Sequence, residues 1–119
     1  MRDIKFRAWD KETKEMLYDF DQKISDRREL KLGQSIHLFV YQIGLLYGTL
    51  QQYTGLKDKN GVEIYEGDVV ENWEFGQVGE VSFHDGMFVT SSVKYEPSHL
   101  AGYDVEIIGN IYENPELLK

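Results

Sequence analysis

The chain has 119 residues, of which 41% are hydrophobic and 29% charged, and it contains no cysteine. This length is close to that of one typical domain, which excludes a multidomain enzyme, and the composition favours a folded core over global disorder. Without cysteine, the chain cannot form disulfides, thiolate nucleophiles, iron–sulfur clusters or cysteine-containing zinc sites. The formal charge of −8 divides into +2 for residues 1–60 and −10 for residues 61–119. The acidic half repels phosphate and is a poor candidate for nucleic-acid binding.

Apolar and polar residues alternate at residues 4–9 and 16–20, a pattern typical of half-buried strands. The polar segment between them, DKETKE, is short enough to connect the two runs as a β-hairpin. Residues 21–33 have no sustained apolar stripe, so we predict an irregular excursion there.

Residues 36–50, IHLFVYQIGLLYGTL, are rich in aromatic and β-branched side chains. Gly44 and Gly48 interrupt this segment, and glycine weakens a helix interior. The pattern therefore favours a bent or bulged strand pair over an amphipathic helix.

After residue 51, turn-forming residues separate short apolar runs. Gly61 and Gly67 each end a polar turn before such a run, and Asp85-Gly86 between two apolar runs is a strong hairpin signal. We expect a positive φ at Gly61, Gly67 and Gly86. The last strand is predicted within residues 103–112, and a terminal helical turn over residues 115–118.

These signals predict a mainly β fold with little helix. The turn at Glu66-Gly67-Asp68, followed by the Asp85-Gly86 hairpin, is typical of a small SH3-like β-barrel over about residues 62–112, packed with an N-terminal β-hairpin lobe. We expect a single compact domain over residues 1–119, with lobes of about 1–50 and 51–119.

No motif for phosphate binding, serine hydrolysis or zinc proteolysis is present in the sequence. His84 is the best of three scattered histidines because Asp85 adjoins it, but the turn already explains that aspartate. The segment Asp58 to Glu63 has Gly61 in fourth place, whereas a calcium-binding EF-hand loop needs glycine in sixth place. We therefore predict no catalytic residue, no metal and no cofactor.

Two surfaces are candidates for binding a macromolecule. The first is an acidic face for a basic partner, formed by Glu71, Glu74 and Glu80, although a solvated acidic surface that maintains solubility also explains these residues. The second is a strand face that combines Lys5, Arg7 and Trp9. An exposed face of this kind stacks a base and contacts phosphate, whereas the alternative is an edge strand protected by its basic residues.

Three blocks of the sequence together resemble the YopX family of small phage and prophage proteins. They are IKFRAWD at residues 4–10, QYTGLKDKNGVEIYEGDVV at residues 52–70 and IGNIYENPELL at residues 108–118. The resemblance implies a phage-encoded protein that acts inside a bacterial cell, and it implies no particular activity or catalytic residue.

The leading interpretation is a non-enzymatic interaction protein, in the cytoplasm of the bacterial host, that binds a host or phage protein. The alternatives are a nucleic-acid accessory protein that uses the basic and aromatic strand, and a small hydrolase with a carboxylate site. Charge disfavours nucleic acid, and the longest apolar stretch is too short to cross a membrane. Self-association remains open.

Overall fold

The computed structural model describes residues 4–18, 35–72, 76–91, 98–100 and 105–118. Over these residues the fold is mainly β and helix is minor, which confirms the predicted fold class. The chain divides into two compact units. The N-terminal unit is Asp3–Gln52, and the C-terminal unit is Tyr53–Lys119 together with Met1–Arg2. That the chain forms one compact domain stays a prediction.

The N-terminal unit contains a hairpin, a helix and the start of a further strand. Its elements are β1 (Phe6–Asp10), β2 (Glu15–Tyr18), α1 (Ile36–Tyr47) and the first residues of β3 (Leu50–Lys57). Strand β1 lies between β2 and β3, antiparallel to both, so the predicted hairpin is confirmed. Helix α1 packs on β1, and Ala8, Leu17 and Val40 form the buried core.

Helix α1 corrects the predicted strand pair over residues 36–50. The Ser35 hydroxyl accepts a hydrogen bond from the Leu38 backbone N–H at 3.0 Å and thereby caps the first turn. Gly48 ends the helix in the left-handed conformation, with φ +68°, so this glycine terminates the helix instead of disrupting it. No helix among the described residues is long and apolar enough to span a membrane.

Gly44 and Thr49 attach the end of α1 to the sheet. A Cβ at Gly44 would lie 2.7 Å from Leu50 Cβ, so only glycine allows this close approach. The Thr49 hydroxyl donates to the Trp9 carbonyl oxygen at 2.7 Å and accepts from the Trp9 N–H at 3.1 Å. This buried hydroxyl therefore satisfies both backbone groups of a strand residue.

Among its described residues, the C-terminal unit contains the rest of β3, six further strands and a terminal 3-10 helix. They are β4 (Glu63–Tyr65), β5 (Asp68–Asn72), β6 (Gln77–His84), β7 (Met87–Ser91), β8 (Ser98–His99), β9 (Val105–Asn110) and the 3-10 helix Pro115–Leu118. Strands β5 to β9 form an antiparallel sheet in the order β8-β7-β6-β5-β9. The predicted terminal helical turn is confirmed.

Four strands of this sheet follow one another as a meander, and the last strand returns to pair with the first. One face carries the core, which includes Ile64, Val70, Val81, Phe88, Leu100 and Val105. Residues 63–65 pair with β3 and lie outside the five-stranded sheet, which begins at Asp68 and not near residue 62. The antiparallel β structure of this region is confirmed, and closure as an SH3-like barrel stays a prediction.

The predicted glycine turns are also confirmed. Gly61, Gly67 and Gly86 have φ values of +82°, +84° and +80°. Asp85 precedes Gly86 with a φ of +50°, so two consecutive positive φ values connect β6 to β7. Such turns match the twist of paired strands, and aspartate with glycine adopts them at low cost.

Candidate functional site

The loop between β3 and β4 is organised by one buried carboxylate, that of Asp58. Its Oδ1 accepts hydrogen bonds from the backbone N–H groups of Asn60 and Val62, both at 2.9 Å. Its Oδ2 accepts from the Ile107 N–H of β9 at 3.0 Å. Asp58 therefore closes its own loop and also fastens it to the edge of the five-stranded sheet.

The electrostatics agree with this structural role. Burial raises the pKa of Asp58, but the N–H groups of Ile107, Val62 and Asn60 outweigh it, assisted by the charge of Lys59. The net pKa lies below the ordinary 3.8. A carboxylate that accepts several backbone hydrogen bonds stays ionised, and a general acid or base near neutral pH needs the opposite shift. The predicted absence of a calcium loop stays a prediction.

The fastened loop adjoins an acidic surface on the sheet. Register places Glu71 of β5 directly opposite Glu106 of β9, and pairs Glu80 of β6 with Val69, two residues from Glu71 on the same strand. Because side chains alternate along a strand, Glu71, Glu80 and Glu106 lie on the face opposite to the core residue Val70. We call these three glutamates the acidic sheet face.

Two loop residues partly neutralise the acidic sheet face at one side. Lys59 Nζ lies 3.4 Å from Glu106 Oε2, and Asn60 Nδ2 donates to Glu106 Oε1 at 3.4 Å. Both members of the ion pair are substantially exposed, so the pair contributes little to stability. On the other side, burial raises the pKa of Glu80. The face thus contains carboxylates in three different environments.

The predicted acidic binding surface of Glu71, Glu74 and Glu80 stays a prediction. Glu71 and Glu80 are both half-buried on one sheet face, whereas Glu74 lies outside the described residues. Glu106 completes the face and was missed, although alternation in the last strand would have revealed it. Val105 is buried in the core, and its immediate neighbour must therefore point to the opposite face.

The prediction of an exposed basic and aromatic face on β1 is wrong. Arg7 and Trp9 are only 3% and 6% exposed, and Lys5 is half-buried just before β1. The Arg7 guanidinium donates from Nε to Gln51 Oε1 at 2.6 Å and from Nη1 to the Tyr18 hydroxyl at 3.5 Å. Arg7 is therefore buried with polar hydrogen-bond partners inside the unit, although the alternation pattern predicted that its side chain would face solvent.

The remaining candidates do not gather into a reactive site. His84 Nε2 lies 3.3 Å from Asp85 Oδ2, and both side chains are largely exposed at the tip of the β6–β7 hairpin. Within the described parts of the chain, no group of three or more His, Asp or Glu side chains is placed to hold a metal ion.

Comparison with known proteins places the chain in a family. A family model described as YopX protein matches residues 5–119. The chain belongs to the YopX family. Among solved structures, the crystal structure of protein EF1440 from Enterococcus faecalis is similar, with 26% sequence identity, coverage of 100% of both chains and a TM-score of 0.61. No curated protein matches this chain.

The longest block that resembles the YopX family, residues 52–70, has a structural explanation. Asp58 fastens the β3–β4 loop, and Asp68 Oδ2 accepts from the Tyr65 N–H at 2.8 Å across the next turn. Gly67 occupies the left-handed position of that turn, and its N–H donates to the Val81 carbonyl oxygen at 2.8 Å. In this YopX protein, Asp58 and Asp68 of the block therefore stabilise turns.

Proposed function

We propose that this YopX protein is a phage- or prophage-encoded, non-enzymatic protein-binding module of the bacterial cytoplasm that binds a basic partner protein through the acidic sheet face. The observation that carries the proposal is the pairing of Glu71 with Glu106. These like charges stand directly opposite each other on neighbouring strands. A pair of like charges at this position weakens a sheet. Lys59 offsets the charge of Glu106 within the chain, and a cationic partner would offset the charge of Glu71 as well.

The distribution of charge supports the same partner class. The C-terminal unit contains 13 acidic residues and 5 basic ones, and the N-terminal unit contains 8 of each. The whole net charge of −8 therefore belongs to the unit that carries the acidic sheet face. A field of this sign speeds association with a basic protein and repels nucleic acid. The burial of Arg7 and Trp9 further weakens the nucleic-acid alternative.

The test compares two charge-reversed variants of the full chain. Glu71→Lys with Glu80→Lys reverses the charge of two of the three glutamates of the acidic sheet face and keeps the ion pair between Lys59 and Glu106 intact. Glu113→Lys with Glu116→Lys is the matched control, since both glutamates are exposed in the same unit and the net charge changes equally. Circular dichroism and thermal unfolding establish that both variants fold.

Each immobilised protein is incubated with lysate from lysogenic bacteria, and captured proteins are quantified by mass spectrometry. We expect a basic protein that the wild type and the control retain and the face variant loses, with binding that weakens as salt rises. A captured protein that the face variant retains equally refutes the acidic sheet face as the binding site. Binding of a fluorescent single-stranded oligonucleotide, with a steep salt dependence, would favour the nucleic-acid alternative.

A further inference from the structure

Helix α1 has a second apolar surface, on the side opposite to the N-terminal core. Val40 and Ile43 face that core, while four large apolar side chains on the other side remain 41% to 71% exposed. These four residues, which we call the apolar helix surface, are Leu38, Tyr41, Leu45 and Leu46. A helix that packs on one sheet needs only one apolar stripe, so the fold of the unit does not require this surface.

The size and spacing of the apolar helix surface are typical of an interface. Four large apolar side chains that remain exposed on one side of a helix form a contiguous apolar patch, and contiguous exposed patches of this kind are often interaction sites. Leu38, Tyr41 and Leu45 are separated by three and then four residues. This is the spacing at which residues of one helix interlock with those of a second helix.

The charges of the N-terminal unit permit a second copy of the same unit to cover this surface. None of the 12 residues of α1 is Asp, Glu, Lys or Arg, so the helix offers no ionic contact to a charged partner. The N-terminal unit as a whole carries 8 acidic and 8 basic residues, so its net charge is zero. Two copies of this unit can therefore approach each other without net repulsion, although each chain as a whole is strongly acidic.

We propose that the apolar helix surface binds the same surface of a second copy of this chain, and that the protein forms a dimer through α1. The contact is isologous, because one patch supplies both sides of a two-fold interface. This dimer contact is separate from the acidic sheet face and does not depend on the function proposed for that face.

Sedimentation equilibrium of the full chain tests the proposal. Pairing of one 12-residue helix buries less than a standard interface of about 1,600 Å², so we expect a dissociation constant of roughly 1 to 100 µM. Leu45→Glu places an unpaired charge in each half of the interface and should weaken the dimer by about a hundredfold or more. Ile4→Glu is the matched control, because Ile4 is an equally exposed apolar residue of the same unit, outside α1.

The control variant should dimerise like the wild type. A wild type that remains monomeric across this concentration range overturns the proposal. A dimer that survives Leu45→Glu, in a variant that circular dichroism shows to be folded, overturns it as well. Monomers that bind neutral phosphatidylcholine vesicles through the same leucines would assign the surface to a membrane and likewise refute it.

A thiol cross-link identifies the contact independently. The chain has no cysteine, so Gln42→Cys places a single thiol in the middle of the exposed side of α1. Mild oxidation should link this variant into a disulfide-bonded dimer, while Ile4→Cys should form the dimer without a disulfide bond. Equal yields from both variants would show random collision and refute the helix contact.

Salt separates this contact from the acidic sheet face. An apolar contact should persist or strengthen in high salt, since screening reduces the repulsion between the acidic chains. Binding of a basic partner should weaken under the same conditions. Loss of one interaction therefore leaves the other measurable.

Discussion

Asp58→Asn is predicted to destabilise the C-terminal unit although it changes only one atom of the side chain. The asparagine carbonyl oxygen can still accept from the N–H groups of Asn60 and Val62. Its amide NH2 then replaces Oδ2, which accepts from the Ile107 N–H at 3.0 Å in the native protein. Two donors face each other in a buried position, and a charge-assisted bond is lost.

The expected loss follows from the hydrogen bonds. Bonds to a charged group contribute about 1.5 to 3 kcal/mol each, and an unsatisfied buried donor costs about 1 to 3 kcal/mol, so Asp58→Asn should cost about 2 to 3 kcal/mol at pH 7. Urea unfolding followed by circular dichroism measures this as a lower midpoint with an unchanged slope. Asp85→Asn is the matched control, because Asp85 is exposed and asparagine tolerates its positive φ.

The pH dependence gives this prediction a second, independent measurement. The pKa of Asp58 is lowered in the folded state, so its contribution is fully present above the ordinary 3.8 and is lost as pH falls through the folded value. The stability difference between the wild type and Asp58→Asn should therefore be constant near neutral pH and shrink below pH 3.8. If the two proteins unfold at the same urea concentration at pH 7, Asp58 does not fasten the loop as described.

Three further changes have predicted outcomes. Glu80→Gln should stabilise the protein by under about 1 kcal/mol at pH 7, because the raised pKa of Glu80 makes ionisation of this half-buried group unfavourable. Well below pH 4.5 the substitution should have no effect on stability, and urea unfolding at both pH values measures the difference. Gly44→Ala should destabilise the N-terminal unit more than Gly48→Ala does. The Cβ added at position 44 lies 2.7 Å from Leu50, whereas the Cβ added at position 48 meets no atom and is disfavoured only by the positive φ. The midpoints of thermal unfolding of the two variants test this order. Thr49→Val should lower the free energy of unfolding by about 1 to 3 kcal/mol, because it removes the hydroxyl that bonds the N–H and the carbonyl oxygen of Trp9. An unchanged midpoint of urea unfolding would show that this hydroxyl does not stabilise β1.

The candidate surfaces show where pattern and structure diverge. In β6 the burial of Val81 alternates with the greater exposure of its neighbours, which puts Glu80 on the face opposite to the core. In β5 both Val69 and Val70 are buried, so the register with the neighbouring strands is needed to show the face of Glu71. The same rule failed at Arg7 and Trp9, since both faces of β1 are covered and alternation then carries no information about exposure. Alternation along β9 indicates the face on which Glu106 lies, but its position opposite Glu71 depends on the register between β5 and β9, which joins residues 35 positions apart in the sequence.

Local chemistry in the sequence was sufficient for the hairpins, the glycine turns and the mainly β class. Asp85-Gly86 specifies its turn through backbone conformations that few other residues adopt at low cost, so its neighbours in space are not needed. Helix α1 was decided by tertiary structure, because a segment that is apolar on all sides has no periodicity to distinguish helix from strand. The Ser35 cap is a local signal that the sequence contains. The burial of the helix against β1 and the approach of Leu50 to Gly44 also select the helix, and both depend on contacts that exist only once the chain has folded.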